Sequence, residues 1–170
     1  MSGRSDLILW RVWVPAWSWA PLSGEGAARF GGRWNARGQA AIYGALELAT
    51  AWSEYNQGLS QHPGLVARLH VRGARLADVR DADLRVAHGV PDDLGGDSWR
   101  AAMTAAGVAP TQAAALRMMA AGYDGLLAPS FMAPGGKTAV LWRWNRDGAP
   151  GVMVEDPEGR LPRDGASWSG

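Results

Sequence analysis

The densest chemical signal in the chain is Gly31-Gly32-Arg33-Trp34-Asn35, followed by Gly38. Paired glycines let a backbone approach a ligand closely or turn at positive φ. An arginine directly after them can grip a phosphate or carboxylate with two parallel hydrogen bonds. The same run reads equally well as a tight turn with a surface arginine. Tyr43 lies at the end of a predicted strand, and Glu54 on the helix that follows it. Glu54 falls off the Leu48, Trp52 and Tyr55 stripe, on roughly the face of Glu47. Singly, each has a plain structural reading, a solvated glutamate and a core tyrosine with its hydroxyl satisfied. Arg11 interrupts an apolar strand; facing inward it must be paired, and facing outward on an edge it is unremarkable. Ser130 follows Pro129 at a strand end, where it could bond a ligand or open a turn.

Several chemistries are excluded by what is missing. The chain has no cysteine, so disulfides, thiolate metal sites and a cysteine nucleophile are out. His62, His70 and His88 are scattered and match no metal-ligand spacing. No nucleophile elbow or hydrolase triad accompanies Ser130. With 17 Lys+Arg against 16 Asp+Glu, the net charge is +1, which asks for no polyanionic partner. Lys137 is the single lysine, so the positive charge is almost all arginine, the better residue for planar anions.

The elements that must position these groups follow from periodicity and punctuation. Leu7 to Val14 reads as a buried strand ended by Pro15. Residues 16–38 show neither helical nor strand period and form a long loop, the kind that is usually functional or disordered. Trp17, Trp19 and Trp34 within it argue against disorder. Ala40 to Tyr43 is a short strand. Ala45 to Gln57 is a helix with Gly58 as its C-cap. Leu65 to Arg72 alternates as a half-buried strand. Residues 73–93 are irregular. Helices are expected over Ser98 to Ala106 and Thr111 to Ala121, the second opened by Pro110 and closed by Gly122. Strands over Asp124 to Pro129 and Thr138 to Trp144 flank a loop with Pro134, Gly135 and Gly136. Strands and helices mix without regular βαβ alternation, which predicts an α+β fold with a largely antiparallel sheet. The 170 residues fit one domain, residues 1–155, with a polar tail over 156–170. The N-terminal apolar run is too short and too interrupted for a signal peptide or a membrane span, so a cytoplasmic protein is expected.

Ten tryptophans stand against three tyrosines and two phenylalanines. Trp10 and Trp13 have opposite parity on their strand, and Trp142 and Trp144 share parity on the last one; core packing accounts for these. The loop tryptophans are better placed to meet a ligand.

Taken together, these pieces resemble the RES-domain family, named for its Arg, Glu and Ser. The resemblance runs through Trp10-Arg11-Val12, Gly26-Ala27, the Gly31 to Asn35 block with Gly38, Ile42-Tyr43, Glu54, and Ala128-Pro129-Ser130. It spans most of residues 7 to 145. It departs after Ser130, where the family tends to carry an asparagine and this chain has Gly136-Lys137-Thr138. Residues 75–96 match no part of the pattern.

The resemblance implies an ADP-ribosyltransferase-like fold, a split and mostly antiparallel sheet flanked by helices. It also implies a toxin of a toxin–antitoxin pair, silenced by a helix-turn-helix antitoxin and consuming NAD+ without a metal. Under it, Arg11 and Arg33 clamp the diphosphate. Glu54 steadies the oxocarbenium-like centre formed when nicotinamide leaves. Tyr43 stacks on the cationic ring, and Trp34, Asn35 and Ser130 complete the NAD+ site. The acceptor of ADP-ribose is left open: phosphate or water, depleting NAD+, or a protein. Neither direct nucleic-acid binding nor membrane binding is implied. The competing class is a non-enzymatic module whose loop tryptophans stack on sugars or bases.

Overall fold

The computed structural model describes residues 3–57, 60–94 and 98–166. Seven strands form one sheet: β1 (Ser5–Trp13), β2 (Ile42–Ala45), β3 (Leu65–Ala74), β4 (Leu76–Asp78), β5 (Gly125–Pro129), β6 (Lys137–Leu141) and β7 (Gly151–Val154). Their order is β4-β5-β6-β2-β1-β3-β7. All pairings are antiparallel except β4 with β5. The fold is therefore α+β with a mostly antiparallel sheet, as the sequence predicts.

The sheet has a seam. β1 pairs with β3 along nearly its whole length, and β2 with β6 over all four of its residues. β1 and β2 meet at a single registered pair, Trp10 with Ala45. Gly44 lets the two strands approach there; a Cβ on it would lie 3.1 Å from Leu9 Cβ and 3.2 Å from Trp10 O. Strands that diverge from one contact open a wedge, and residues of both line the cleft described below.

The helices are α1 (Glu25–Phe30), α2 (Leu48–Asn56), α3 (Ala82–His88), α4 (Ser98–Ala106) and α5 (Pro110–Ala120). Two apolar clusters hold the layers together. In one, Ala114, Ala115 and Met118 of α5 pack with Leu126, Ala128 and Val140 of the sheet. In the other, Leu9, Ile42, Leu69 and Leu141 pack under Leu22, Leu46 and Trp144. Alternation along β6 explains the division: Val140 joins the first cluster, Ala139 and Leu141 the second.

The structure corrects several boundaries. The long loop at 16–38 contains a 3-10 turn (Pro15–Trp17) and α1. The helix carrying Glu54 starts at Leu48 and ends on Gln57 in the left-handed region at φ 45°, while Gly58 lies outside the described residues. The irregular stretch 73–93 holds β4 and α3, the latter capped by Asp81, whose carboxylate accepts from Asp83 N and Leu84 N. The last predicted strand stops at Leu141, and β7, unpredicted, follows it. Trp142 and Trp144 accordingly do not share one packing environment. Trp142 belongs to the first cluster and donates to Trp34 O at 2.8 Å; Trp144 packs against the second and donates to Leu22 O at 3.0 Å. No helix among the described residues is long and apolar enough to cross a membrane.

Candidate active site

The Gly31 to Asn35 block forms a closed turn. Gly32 N donates to Asn35 O at 2.9 Å, and Asn35 N returns to Gly32 O at 3.3 Å. Gly31 adopts φ 73°, which only glycine takes at low cost. Gly32 is required for space rather than for φ: a Cβ there would collide with Tyr43 Oη and come 2.5 Å from Asn35 Oδ1. Arg33 sits at the tip of this turn, and everything below the tip is pinned. Asn35 is fully buried, its amide nitrogen bonded to Ala27 O and Gln39 O at 2.8 Å each. Its Oδ1 accepts from the Tyr43 hydroxyl at 2.7 Å, and that hydroxyl accepts from Trp34 N at 3.1 Å. Burial pushes the Tyr43 pKa well above its ordinary range, with the Trp34 N–H and the Arg33 charge pulling partly back, so the phenol stays a neutral donor.

A second support comes from α5. Gln112 is fully buried and donates to Gly32 O at 2.9 Å and Asn35 O at 3.1 Å, while its own Oε1 accepts from Ala109 N. Sequence reasoning passed over this residue. The available signal was a lone amide just ahead of the run Ala113 to Leu116 in an alanine-rich helix.

Glu54 is held from the opposite side. The Ser130 hydroxyl donates to Glu54 Oε1 at 2.5 Å, and Met132 N lies 3.4 Å from the same oxygen. Ser130 is itself fixed. Its Oγ accepts from Ala133 N at 3.0 Å and its N–H donates to Gly136 O at 2.8 Å. Gly136 in turn packs on Thr50, with no room for a Cβ. The helix bearing Glu54 and the loop bearing Ser130 are thus one unit.

Arg11 lies near the C-terminal end of β1, with its Cζ 5.4 Å from the Trp13 ring centroid. Its Nη1 is buried and has no hydrogen-bond partner. Burial pushes its pKa down to about 10. Desolvating part of a cation without a hydrogen bond to compensate is costly, so this nitrogen is held at a cost to the fold. Arg33 is differently placed: its Nη1 donates to Leu94 O, and its Cζ lies 5.5 Å from the Phe131 ring centroid.

One cleft of about 1180 Å3 collects these groups; Arg11, Arg33, Tyr43 and Glu54 all line it, with Phe131 and Trp99. The predicted residues divide into those that face it and those that support it. Trp34 lines the cleft but is only 3% exposed and packs into the first core cluster, so the loop position predicted to meet a ligand serves mainly as core. Asn35 lies beneath, every side-chain bond spent on the turn and on Tyr43, and does not line the cleft. Ser130 spends its hydroxyl on Glu54 rather than presenting it to a ligand. Of the other loop tryptophans, Trp17 lines the cleft and is 57% exposed, while Trp19 lies outside it. Phe131, half exposed, had no sequence signal because loop aromatics carry no period.

An α+β sheet opened at one seam brings a carboxylate and two arginines to the lining of one cleft. The chain belongs to the RES-domain family, whose model matches residues 8–164. Its fold is similar to that of a chain in the crystal structure of the M. tuberculosis MbcT–MbcA toxin–antitoxin complex. That likeness has a TM-score of 0.65 at 24% identity and covers 89% of this chain and 83% of the other. No curated protein matches the chain significantly.

Proposed function

We propose that this protein is an NAD+-cleaving toxin of a toxin–antitoxin pair. The observation that carries the reading is Arg11, whose buried Nη1 has no hydrogen-bond partner, in the same cleft as Arg33 and Glu54. A dinucleotide supplies what that arrangement lacks: a diphosphate for the arginines and a ribose for the carboxylate. Family membership supports the reading, and so does the fold shared with a chain of a toxin–antitoxin complex.

The chemistry follows from the groups present. The bond between ribose C1′ and the nicotinamide nitrogen breaks, and its electron pair neutralises the pyridinium. Positive charge develops on the ribose, as in glycoside cleavage. Glu54, held by Ser130 and Met132 N, presents fixed negative charge to that centre. An acceptor oxygen then bonds C1′ and gives up its proton. Tyr43 offers a ring face to the leaving group. Arg11 and Arg33 hold the diphosphate through the whole event, so the ADP-ribosyl unit does not leave with nicotinamide. An antitoxin that lies over this cleft silences it.

Purified protein incubated with NAD+ and phosphate should release nicotinamide. Glu54→Gln should lower that rate by about 10²–10⁴-fold with an unchanged melting curve. Full activity in a folded Glu54→Gln protein, or no nicotinamide from the wild type with any acceptor, overturns the reading. NAD+ labelled in its adenylate half then separates acceptors in a cell lysate. Label in free ADP-ribose or its 1-phosphate means NAD+ depletion; label in one protein band means transfer to protein. A binding module without chemistry would retain NAD+ intact.

A further inference from the structure

Arg33 is fixed by two loops that are far apart in sequence. Leu94 O takes one of its N–H groups, and the Phe131 ring lies against its guanidinium at 5.5 Å. Phe131 is 52% exposed. A phenyl ring left half in water contributes little to a core, yet the residues on either side of it are anchored by hydrogen bonds. It follows Ser130 directly, and precedes Met132, whose N–H reaches Glu54. The loop is closed on itself by Ser130 N to Gly136 O at 2.8 Å and Gly136 N to Ala133 O at 2.9 Å. Neighbouring residues of one rigid loop therefore touch the carboxylate and the arginine that the reaction needs in register.

We propose that Phe131 is a positioning residue for Arg33, and that the Ser130 to Gly136 loop sets the spacing between the cleaving carboxylate and the diphosphate grip. This rests on the NAD+ reading above and adds a division of labour to it. Ser130 acts through Glu54 on the bond-breaking step. Phe131 acts through Arg33 on the anchoring of the ADP-ribosyl half. An aromatic face lying against a guanidinium restricts the arginine's rotamers. Removing the ring releases those rotamers, and binding must then order them again.

The test measures ADP-ribose affinity by calorimetry and nicotinamide release by kinetics on the same intact proteins. Phe131→Ala and Phe131→Leu should each weaken ADP-ribose by about 5–20-fold and raise KM alike, with kcat within about twofold. Phe131→Tyr should restore both. Ser130→Ala should do the reverse, lowering kcat at least about tenfold with ADP-ribose affinity kept. In an Arg33→Ala background, adding Phe131→Ala should weaken binding no further. Additive losses in that cycle, leucine substituting fully for phenylalanine, or unchanged affinity in Phe131→Ala would each overturn the proposal. A wild type that neither binds ADP-ribose nor releases nicotinamide overturns the NAD+ reading itself, and this proposal with it. A wild type that does both while the Phe131 variants match it overturns this proposal alone.

Discussion

Two buried charges in this molecule are treated in opposite ways. Asp124, at the start of β5, is fully buried, and its carboxylate is saturated. Arg143 Nε donates to Oδ1, Arg75 N donates to Oδ2 at 2.7 Å, and Arg4 stands 4.0 Å away. Around it Arg75 and Arg143 also tie down Ala121 O and Gly122 O, so one acid locks the end of α5 to both β5 and β6. Arg11, near the end of β1, has a buried nitrogen with no hydrogen-bond partner. The first arrangement is what a fold builds when a charge serves stability, since a buried ion is tolerable only when its hydrogen bonds are complete. The second is what the proposed reading expects of a charge whose partner is a ligand.

Breaking the structural half should have the largest effect. Asp124→Ala leaves Arg143 and the Arg75 N–H without their acceptor and should cost about 3–5 kcal/mol, seen as a lower denaturation midpoint. Any loss of cleavage should appear only to the extent that protein unfolds. A fully folded Asp124→Ala protein with an inactive cleft would erase the distinction.

The functional half should respond with the opposite sign. Burial holds the Arg11 pKa near 10, below its ordinary value, so the desolvation cost is present throughout the neutral range and is relieved only as pH climbs past that value. Arg11→Met should therefore raise unfolding free energy by up to about 2 kcal/mol while NAD+ turnover collapses. A destabilised Arg11→Met protein would mean that the guanidinium has a structural partner after all.

The smallest effect is at the sheet edge. Glu155 follows β7 and bonds Arg68 and, at 2.6 Å, His70. These two partners hold its carboxyl below the ordinary carboxylate range. Its contribution is thus complete above that range and disappears as pH falls through it. Melting temperature against pH should show a small acidic component that Glu155→Gln lacks, with cleavage at neutral pH unaffected.

The same contrast explains what could be read from the sequence. Arg11, Arg33, Tyr43 and Glu54 each had a plain structural reading alone and were singled out together through the family resemblance; the structure places all four on one cleft. The central elements were legible as well; Leu65 to Arg72 alternates because one face is buried. The residues that hold the site were harder. Asn35 and Trp34 sit inside the motif and look like ligand contacts, but their roles are fixed by Tyr43 and Trp142, contacts that cross long stretches of chain. Gln112 and Phe131 gain their meaning only from tertiary proximity. Strand β7 is four residues long and has no period to read. Asp124 looked like a strand end, and only the packed fold brings Arg4, Arg75 and Arg143 to it.

The central claim is that the open cation marks a diphosphate site. Phosphorus NMR of NAD+ titrated with the Glu54→Gln protein, in which turnover is suppressed, tests it directly. The two diphosphate resonances should shift or broaden on binding, and they should stay at their free positions when Arg11→Met is added to a protein shown to be folded. Diphosphate resonances that respond equally with and without Arg11, or that never respond to the folded Glu54→Gln protein, would contradict the account.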